Sequence, residues 1–123
     1  MKIGELRYNN RVLNPNNFEM FIVGIYNDEI LLNFEGNEGG VWEYEIIDLQ
    51  PIKLSKEVLE SCVFNFEKLG FNYSVSYGIT SDNFHFVLND NYYIKIEYLH
   101  ELQNIYFDFC KTELQFKKNK NNG

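Results

Sequence analysis

The hydrophobic pattern of the chain is clearest over residues 91–116, where its period changes partway along. The first part alternates between two sets, as in a strand with one buried face: Tyr92, Ile94, Ile96 and Tyr98 against Tyr93, Lys95 and Glu97. The second part repeats every three or four positions, as on one side of an amphipathic helix: Leu99, Leu102, Ile105, Tyr106, Phe109 and Cys110. Because a helix with such a side must bury it, we expect this helix to cover a sheet, with Leu102, Tyr106 and Phe109 in structural roles.

The first half of the chain has the pattern of a small antiparallel sheet. Hydrophobic runs separated by polar turns predict strands over 5–13, 18–26, 30–34 and 41–48. The run 18–26 is hydrophobic on both faces, which predicts a central place in the sheet. Pro51 is expected to end the ladder because proline has no N–H to donate. Strands this short and closely spaced favour an SH3-like arrangement.

A helix is predicted just after this sheet. Ser55 is a suitable N-cap for it, and Glu57 lies in the first turn, where a carboxylate favours the helix dipole. Its hydrophobic side includes Cys62. Gly70 is a suitable stop, and an earlier exit into a strand over 63–66 is the alternative.

The remaining pattern completes the fold class. Strands are predicted over 71–77 and 84–88, ahead of the strand and helix of the opening pattern. The fold is therefore predicted to be α+β, a small N-terminal antiparallel sheet (SH3-like) followed by an α-β-β-β-α unit. We expect a single domain that spans the chain. Its parts are an N-terminal β lobe, a C-terminal αβββα lobe and a frayed tail, at 1–50, 51–116 and 117–123.

Composition and charge narrow the possible partners. The chain of 123 residues has 11 Phe, 9 Tyr and 1 Trp, which either fill the core or leave several rings at the surface as contact residues. The net charge of −7 disfavours generic binding to nucleic acid and suits a protein partner with a basic surface. Simple solubility is the alternative explanation of the charge.

The residues most often used in catalysis and metal binding lack a recognisable spacing. His85 and His100 have no companion at metal-ligand spacing, so neither a metal nor another cofactor is expected. Cys62 and Cys110 lie on the hydrophobic sides of predicted helices and are expected to be unpaired buried thiols. No signal peptide or membrane span of about 20 apolar residues is visible, which predicts a cytoplasmic protein.

One segment gathers acidic and aromatic residues. The hairpin around residues 35–48 is expected to bind an Arg/Lys-rich protein partner through six residues: Glu35, Glu38, Trp42, Glu43, Glu45 and Asp48. A solvated hairpin without a binding role is the alternative.

Three motifs resemble those of a family of small phage and mobile-element proteins of Bacteroidetes. The first motif comprises Arg7, Asn10 and Val12. The second comprises Pro51, Ile52, Leu54, Ser55, Glu57 and Leu59. The third and most specific comprises Ile96, Tyr98, Leu99, His100, Leu102, Gln103, Asn104, Tyr106 and Phe107. The chain departs from the family after the third motif, where Asp108 and Lys111 replace small residues.

The resemblance implies a mobile-element origin and no assigned enzyme activity. The chain looks similar to anti-CRISPR proteins directed at the type VI-B RNA-guided RNA nuclease, which implies an inhibitor acting in the host cell. From the negative charge and the lack of a membrane span, we expect that it binds neither nucleic acid alone nor a membrane. A self-assembling phage accessory or structural adaptor is the second hypothesis. The third is a small enzyme in which Glu43, Glu45 or His100 acts as acid or base.

Overall fold

The computed structural model describes residues 1–64, 73–77, 84–88 and 92–117. Its strands are β1 (Arg11–Leu13), β2 (Glu19–Tyr26), β3 (Glu29–Asn33), β4 (Trp42–Glu45), β5 (Gln50–Pro51), β6 (Cys62–Val63), β7 (Tyr73–Tyr77), β8 (Phe84–Leu88), β9 (Tyr92–Ile96) and β10 (Gln115–Phe116). Its α-helices are α1 (Lys56–Ser61) and α2 (Leu99–Cys110), and its 3-10 helices are Ile3–Glu5 and Ile46–Asp48. The predicted α+β class is confirmed. Over the described residues, no helix has both the length and the hydrophobicity needed to cross a membrane.

Contacts divide the chain into two compact units. The first unit comprises Met1–Lys53 and Tyr98–Asn104, and the second comprises Leu54–Glu97 and Ile105–Gly123. Helix α2 therefore contributes its first half to one unit and its second half to the other. Each unit combines two separate ranges of the chain. The predicted lobes at 1–50 and 51–116 are instead one continuous range each.

The first unit is built on an antiparallel sheet with the order β4-β3-β2-β1-β5 among the described residues. The predicted central place of β2 is confirmed, and the return of β5 beside β1 agrees with the SH3-like expectation. One face of this sheet forms a core because its strands alternate hydrophobic residues toward it. The buried members of this core are Leu6, Val12, Met20, Ile22, Ile30, Leu32 and Leu49.

The ladder ends at Pro51, as predicted, because Pro51 is the last residue of β5, where it pairs with Val12 of β1. An edge strand tolerates proline at this place. One prediction for this sheet is wrong: the strand expected over 41–48 stops at Glu45, and Ile46–Asp48 forms a 3-10 helix. The chain there turns away from its neighbouring strand.

Gln103 joins α2 to the strand region of the first unit. Its side chain is only 1% exposed. Its Oε1 accepts a hydrogen bond from the Arg11 backbone N–H at 2.8 Å, and its Nε2 donates to the Asn9 carbonyl at 2.8 Å. Both ends of the buried amide are therefore satisfied, as burial of a polar group requires.

Asn10 forms a second connection of the same kind. Its buried side chain accepts a hydrogen bond from the Arg7 backbone N–H at 2.7 Å and donates to Asn104 Oδ1 at 2.8 Å. The Asn104 side chain in turn donates to the Glu5 carbonyl at 2.8 Å. The start of α2 is thus fixed to the N-terminal segment by side-chain amides.

The second unit begins with the predicted Ser55 cap, which is confirmed because Ser55 Oγ accepts the Val58 N–H at 3.1 Å. Helix α1 ends at Ser61, so the predicted helical position of Cys62 is wrong. The chain enters strand β6 at Cys62–Val63, which agrees with the alternative of an early exit at Val63, and the last two positions of that alternative, 65–66, lie outside the described residues. The positions 65–72, which include Gly70, lie outside the described residues, as do 118–123 of the predicted tail. Lys117, the first residue of that tail, donates its N–H to the Ser61 carbonyl at 2.7 Å.

Two small sheets complete the second unit. Strands β7, β8 and β9 pair antiparallel in chain order, as the sequence predicts, and the Phe109 ring of α2 stacks on Phe86 of β8 at 5.8 Å. Strand β10, which the sequence does not predict, pairs with β6. The predicted buried thiols are confirmed, since Cys62 and Cys110 are both buried and neither forms a disulfide. Burial raises the pKa of the Cys110 thiol, which keeps it protonated and unreactive at neutral pH.

Candidate protein-binding surface

Three carboxylates of the first unit share one face of its sheet. Glu29 of β3 pairs directly with Glu45 of β4, and Leu31 pairs with Glu43. Directly paired residues lie on the same face, and alternate residues of a strand lie on the same face. Glu29, Glu43 and Glu45 therefore project from the side opposite the core, and all three are exposed. We call this set the acidic face.

The connections on either side of β3 set this arrangement. Asn27 adopts φ 55° in the two-residue turn between β2 and β3, a conformation that asparagine tolerates. In the longer loop before β4, the Asn37 side chain donates hydrogen bonds to Asn33 Oδ1 at 2.7 Å and to the Gly40 carbonyl at 2.9 Å. These bonds hold both ends of the loop together and so fix the register of β4 against β3.

The carboxylates of the acidic face interact with one another. The pKa of Glu29 is raised above its ordinary value of 4.5, mainly because the protonated carboxyl donates a side-chain hydrogen bond to Glu43. The charge of Glu43 adds to this effect, followed by slight burial and by the charge of Glu45. A site that favours an added proton also favours a cationic group that replaces the proton. The acidic face is thus suited to Lys or Arg.

An aromatic side chain lies beside these carboxylates, but it is not the predicted one. Tyr26 pairs with Glu29 across the turn and is 67% exposed. Trp42 pairs with the buried Leu32, so it lies on the opposite face of the sheet from Glu43 and Glu45. The ring available to a ligand of the acidic face is therefore that of Tyr26.

Trp42 belongs to a separate aromatic cluster. Its ring lies 5.2 Å from that of Phe34, and Phe34 lies 5.6 Å from Phe18 in an edge-to-face arrangement. Trp42 remains 41% exposed. Phe34 packs against the core of the first unit, so the contact with Phe34 gives Trp42 a packing role beside any binding role.

The other predicted binding residues occupy different places. Glu35 lies in the loop before β4, with its carboxylate 3.9 Å from Arg11, which also pairs with Glu19 at 3.1 Å. Glu38 is exposed in the same loop, and Asp48 is exposed in the 3-10 helix after β4. Of the six predicted residues, the sheet register brings together Glu43 and Glu45 alone.

Glu29 and Tyr26 are not among the predicted binding residues. The sequence predicts a turn over Asn27, Asp28 and Glu29, whereas in the structure Glu29 begins β3 and pairs with Tyr26. The register of β4 depends on the longer loop, whose geometry the sequence does not specify. The sequence therefore places Glu29 at a turn near the acidic hairpin, but it does not specify that Glu29 lies opposite Tyr26 or beside Glu45.

The residues of the enzyme hypothesis lie in different surroundings. His100 is 1% exposed, and its Nε2 lies 3.7 Å from a carboxylate oxygen of Glu5. Burial lowers the pKa of His100, while the charges of Glu101 and Glu5 partly oppose that shift. Glu43 and Glu45 are instead exposed on the sheet surface. In the described part of the chain, no group of three or more His, Cys, Asp or Glu side chains could hold a metal ion.

Comparison of the chain with protein-family models, with curated proteins and with solved structures found no match. The resemblance of the three motifs to a phage and mobile-element family stays a prediction.

Proposed function

We propose that this protein is a non-enzymatic inhibitory binding protein of phage or mobile-element origin. Its target is a host defence nuclease in the cytoplasm, the type VI-B RNA-guided RNA nuclease. The observation that supports binding is the acidic face, where Glu29, Glu43 and Glu45 lie together beside the exposed ring of Tyr26. The choice of this nuclease rests on the motif resemblance.

The charge distribution supports a partner with a basic surface. Three exposed carboxylates on one sheet face repel each other, and a Lys or Arg side chain removes that repulsion on binding. The net charge of −7 adds long-range attraction to any basic surface and speeds the encounter. A nuclease that holds a guide RNA needs such a surface, because it must neutralise phosphates.

The test is charge reversal on the acidic face. The double variant E43K/E45K should slow association with the nuclease–guide complex by about tenfold or more at low salt, because steering depends on these charges. Surface interferometry measures the association rate, and cleavage of a labelled RNA measures inhibition. The fold should persist, since both side chains are exposed.

A matched control separates the acidic face from net charge. The variant E60K/D108K makes the same charge change at exposed positions of α1 and α2 and should keep most of the association rate. Equal losses in both variants would show that only net charge matters. A wild-type protein that neither binds the nuclease nor alters its cleavage would overturn the proposal.

A further inference from the structure

The two edges of the sheet in the first unit differ in how they are covered. At one edge, β5 is two residues long and contains Pro51, which has no N–H. The chain beyond it is also covered, because the Leu99 N–H donates to the Ile52 carbonyl at 2.8 Å and Lys53 forms a bridge with Tyr98. This edge offers little to another strand.

The β4 edge is open among the described residues. Strand β4 is the last in the sheet order, contains no proline and pairs on one side, with β3. In an antiparallel edge strand, one residue in two directs its N–H and C=O away from the sheet. Trp42, Glu43 and Glu45 are exposed and Tyr44 is partly buried, so this edge is reachable by another chain.

The side chains of β4 indicate what kind of strand would pair there. Glu43 and Glu45 lie on the acidic face, and Trp42 and Tyr44 lie on the core face. A strand added at the edge places its residues on the same two faces. Cationic residues at alternate positions would then lie beside Glu43 and Glu45, and apolar residues between them would lie beside Trp42.

A second copy of the chain is a poor occupant. Pairing of β4 with another β4 in matching faces would set Glu43 and Glu45 against the same carboxylates of the copy. Like charges directly opposite each other destabilise a strand pair. The acidic residues thus protect the edge from self-association while leaving it open to a basic strand.

We infer that β4 binds an extended segment in which basic and apolar residues alternate, by adding that segment as a further antiparallel or parallel strand of the sheet. This inference rests on the proposed function and specifies how the basic partner is held. Backbone hydrogen bonds supply affinity, and the alternating side chains supply selectivity.

The test uses a synthetic peptide of about nine residues in which Lys and Val alternate, a length suited to one strand. Two derivatives of this peptide carry backbone N-methyl groups. In one derivative the methyl groups are on the Lys residues, and in the other they are on the Val residues. Only one set can direct its N–H groups toward β4. We expect methylation of that set to weaken binding by about tenfold or more, because several backbone hydrogen bonds are lost. Methylation of the other set should leave affinity within about threefold of the parent peptide.

Hydrogen exchange of the intact protein locates the contact. The bound parent peptide should protect amides of residues 42–45 that exchange rapidly in the free protein. A peptide with the same composition but with all Lys grouped at one end should give little protection. Equal affinity of both methylated peptides, or an absence of added protection in β4, would overturn the inference. Protection of the β4 amides that increases with protein concentration in the absence of peptide would also overturn the inference, because it would show that a second copy of the chain pairs with β4.

The outcomes separate this inference from the proposed function. If E43K/E45K loses the nuclease but both methylated peptides bind alike, the acidic face docks through side chains and strand addition is wrong. If the nuclease does not bind but the two methylated peptides differ, β4 accepts a basic strand from a different partner and the proposed function is wrong.

Discussion

Gln103 and the acidic face place polar groups of the first unit in opposite environments. The Gln103 amide is almost fully buried, and both its ends form hydrogen bonds at 2.8 Å with backbone groups. Glu29, Glu43 and Glu45 are exposed, and the pKa of Glu29 is raised first by its hydrogen bond to Glu43 and then by the negative charge of Glu43. The comparison teaches that the buried polar groups maintain the fold, whereas the exposed ones keep electrostatic free energy available for a partner.

The largest expected effect is a loss of stability when the buried Gln103 amide is removed. Gln103→Leu should lower the free energy of unfolding by about 1–3 kcal/mol, because it removes the hydrogen-bond partner of the Arg11 N–H and of the Asn9 carbonyl at a partly buried site. Urea denaturation followed by circular dichroism measures this change. Asp108→Ala, at an exposed position of the same helix, should change stability by less than about 0.5 kcal/mol. Similar small effects from both substitutions would show that the amide is not a structural connection.

The part of the fold that the sequence predicted is the part that depends on local periodicity. Alternation predicted β2, β8 and β9, and the helical period predicted α2. Gln103 and His100 are buried although they lie outside the predicted hydrophobic stripe. Their burial arises from segments that are distant in sequence: Gln103 meets Arg11 across a separation of 92 positions. No local pattern records such a contact.

The candidate site divides in the same way. Alternation along β4 placed Glu43 and Glu45 on one face and Trp42 on the other. The six predicted binding residues were grouped because they are close in sequence, and that grouping does not separate the two faces. The partnership with Glu29 depends on a loop held by asparagine side chains, and the position of Asp48 depends on where β4 ends. Register across a loop and strand length are set by tertiary contacts, so the sequence left both open.

An intermediate effect is expected from His100, which shares the buried environment but is titratable. Its pKa is lowered in the folded state, chiefly by burial, against an ordinary value of 6.5. The unfolded chain therefore binds a proton at a higher pH than the folded chain does. Stability should fall as pH decreases below about 6.5, with a slope of at most about 1.4 kcal/mol per pH unit for one proton.

The variant His100→Phe isolates this contribution. It removes the titrating group and keeps a planar ring to stack on Tyr98, whose ring lies 5.9 Å from that of His100. Denaturation between pH 5 and pH 8 should show a flatter dependence than the wild type, with the carboxylates of Glu5 and Glu101 present in both proteins. An unchanged slope in the variant would assign the pH dependence to other groups.

The smallest expected effect is on the exposed side, and its sign is the reverse of that for His100. The pKa of Glu29 is raised, so the folded chain binds the proton more tightly than the unfolded chain above pH 4.5, and stability should decrease slightly as pH rises through that region. Glu43→Gln removes the charge of Glu43, which is among the leading causes, and should lower the pKa of Glu29 toward 4.5 in an NMR titration of its carboxyl carbon. Glu38→Gln removes a charge from the neighbouring loop and should leave that titration in place. If the two variants lower the pKa of Glu29 equally, general negative charge and not the register of β3 and β4 raises that pKa. The three carboxylates would then not form a distinct surface.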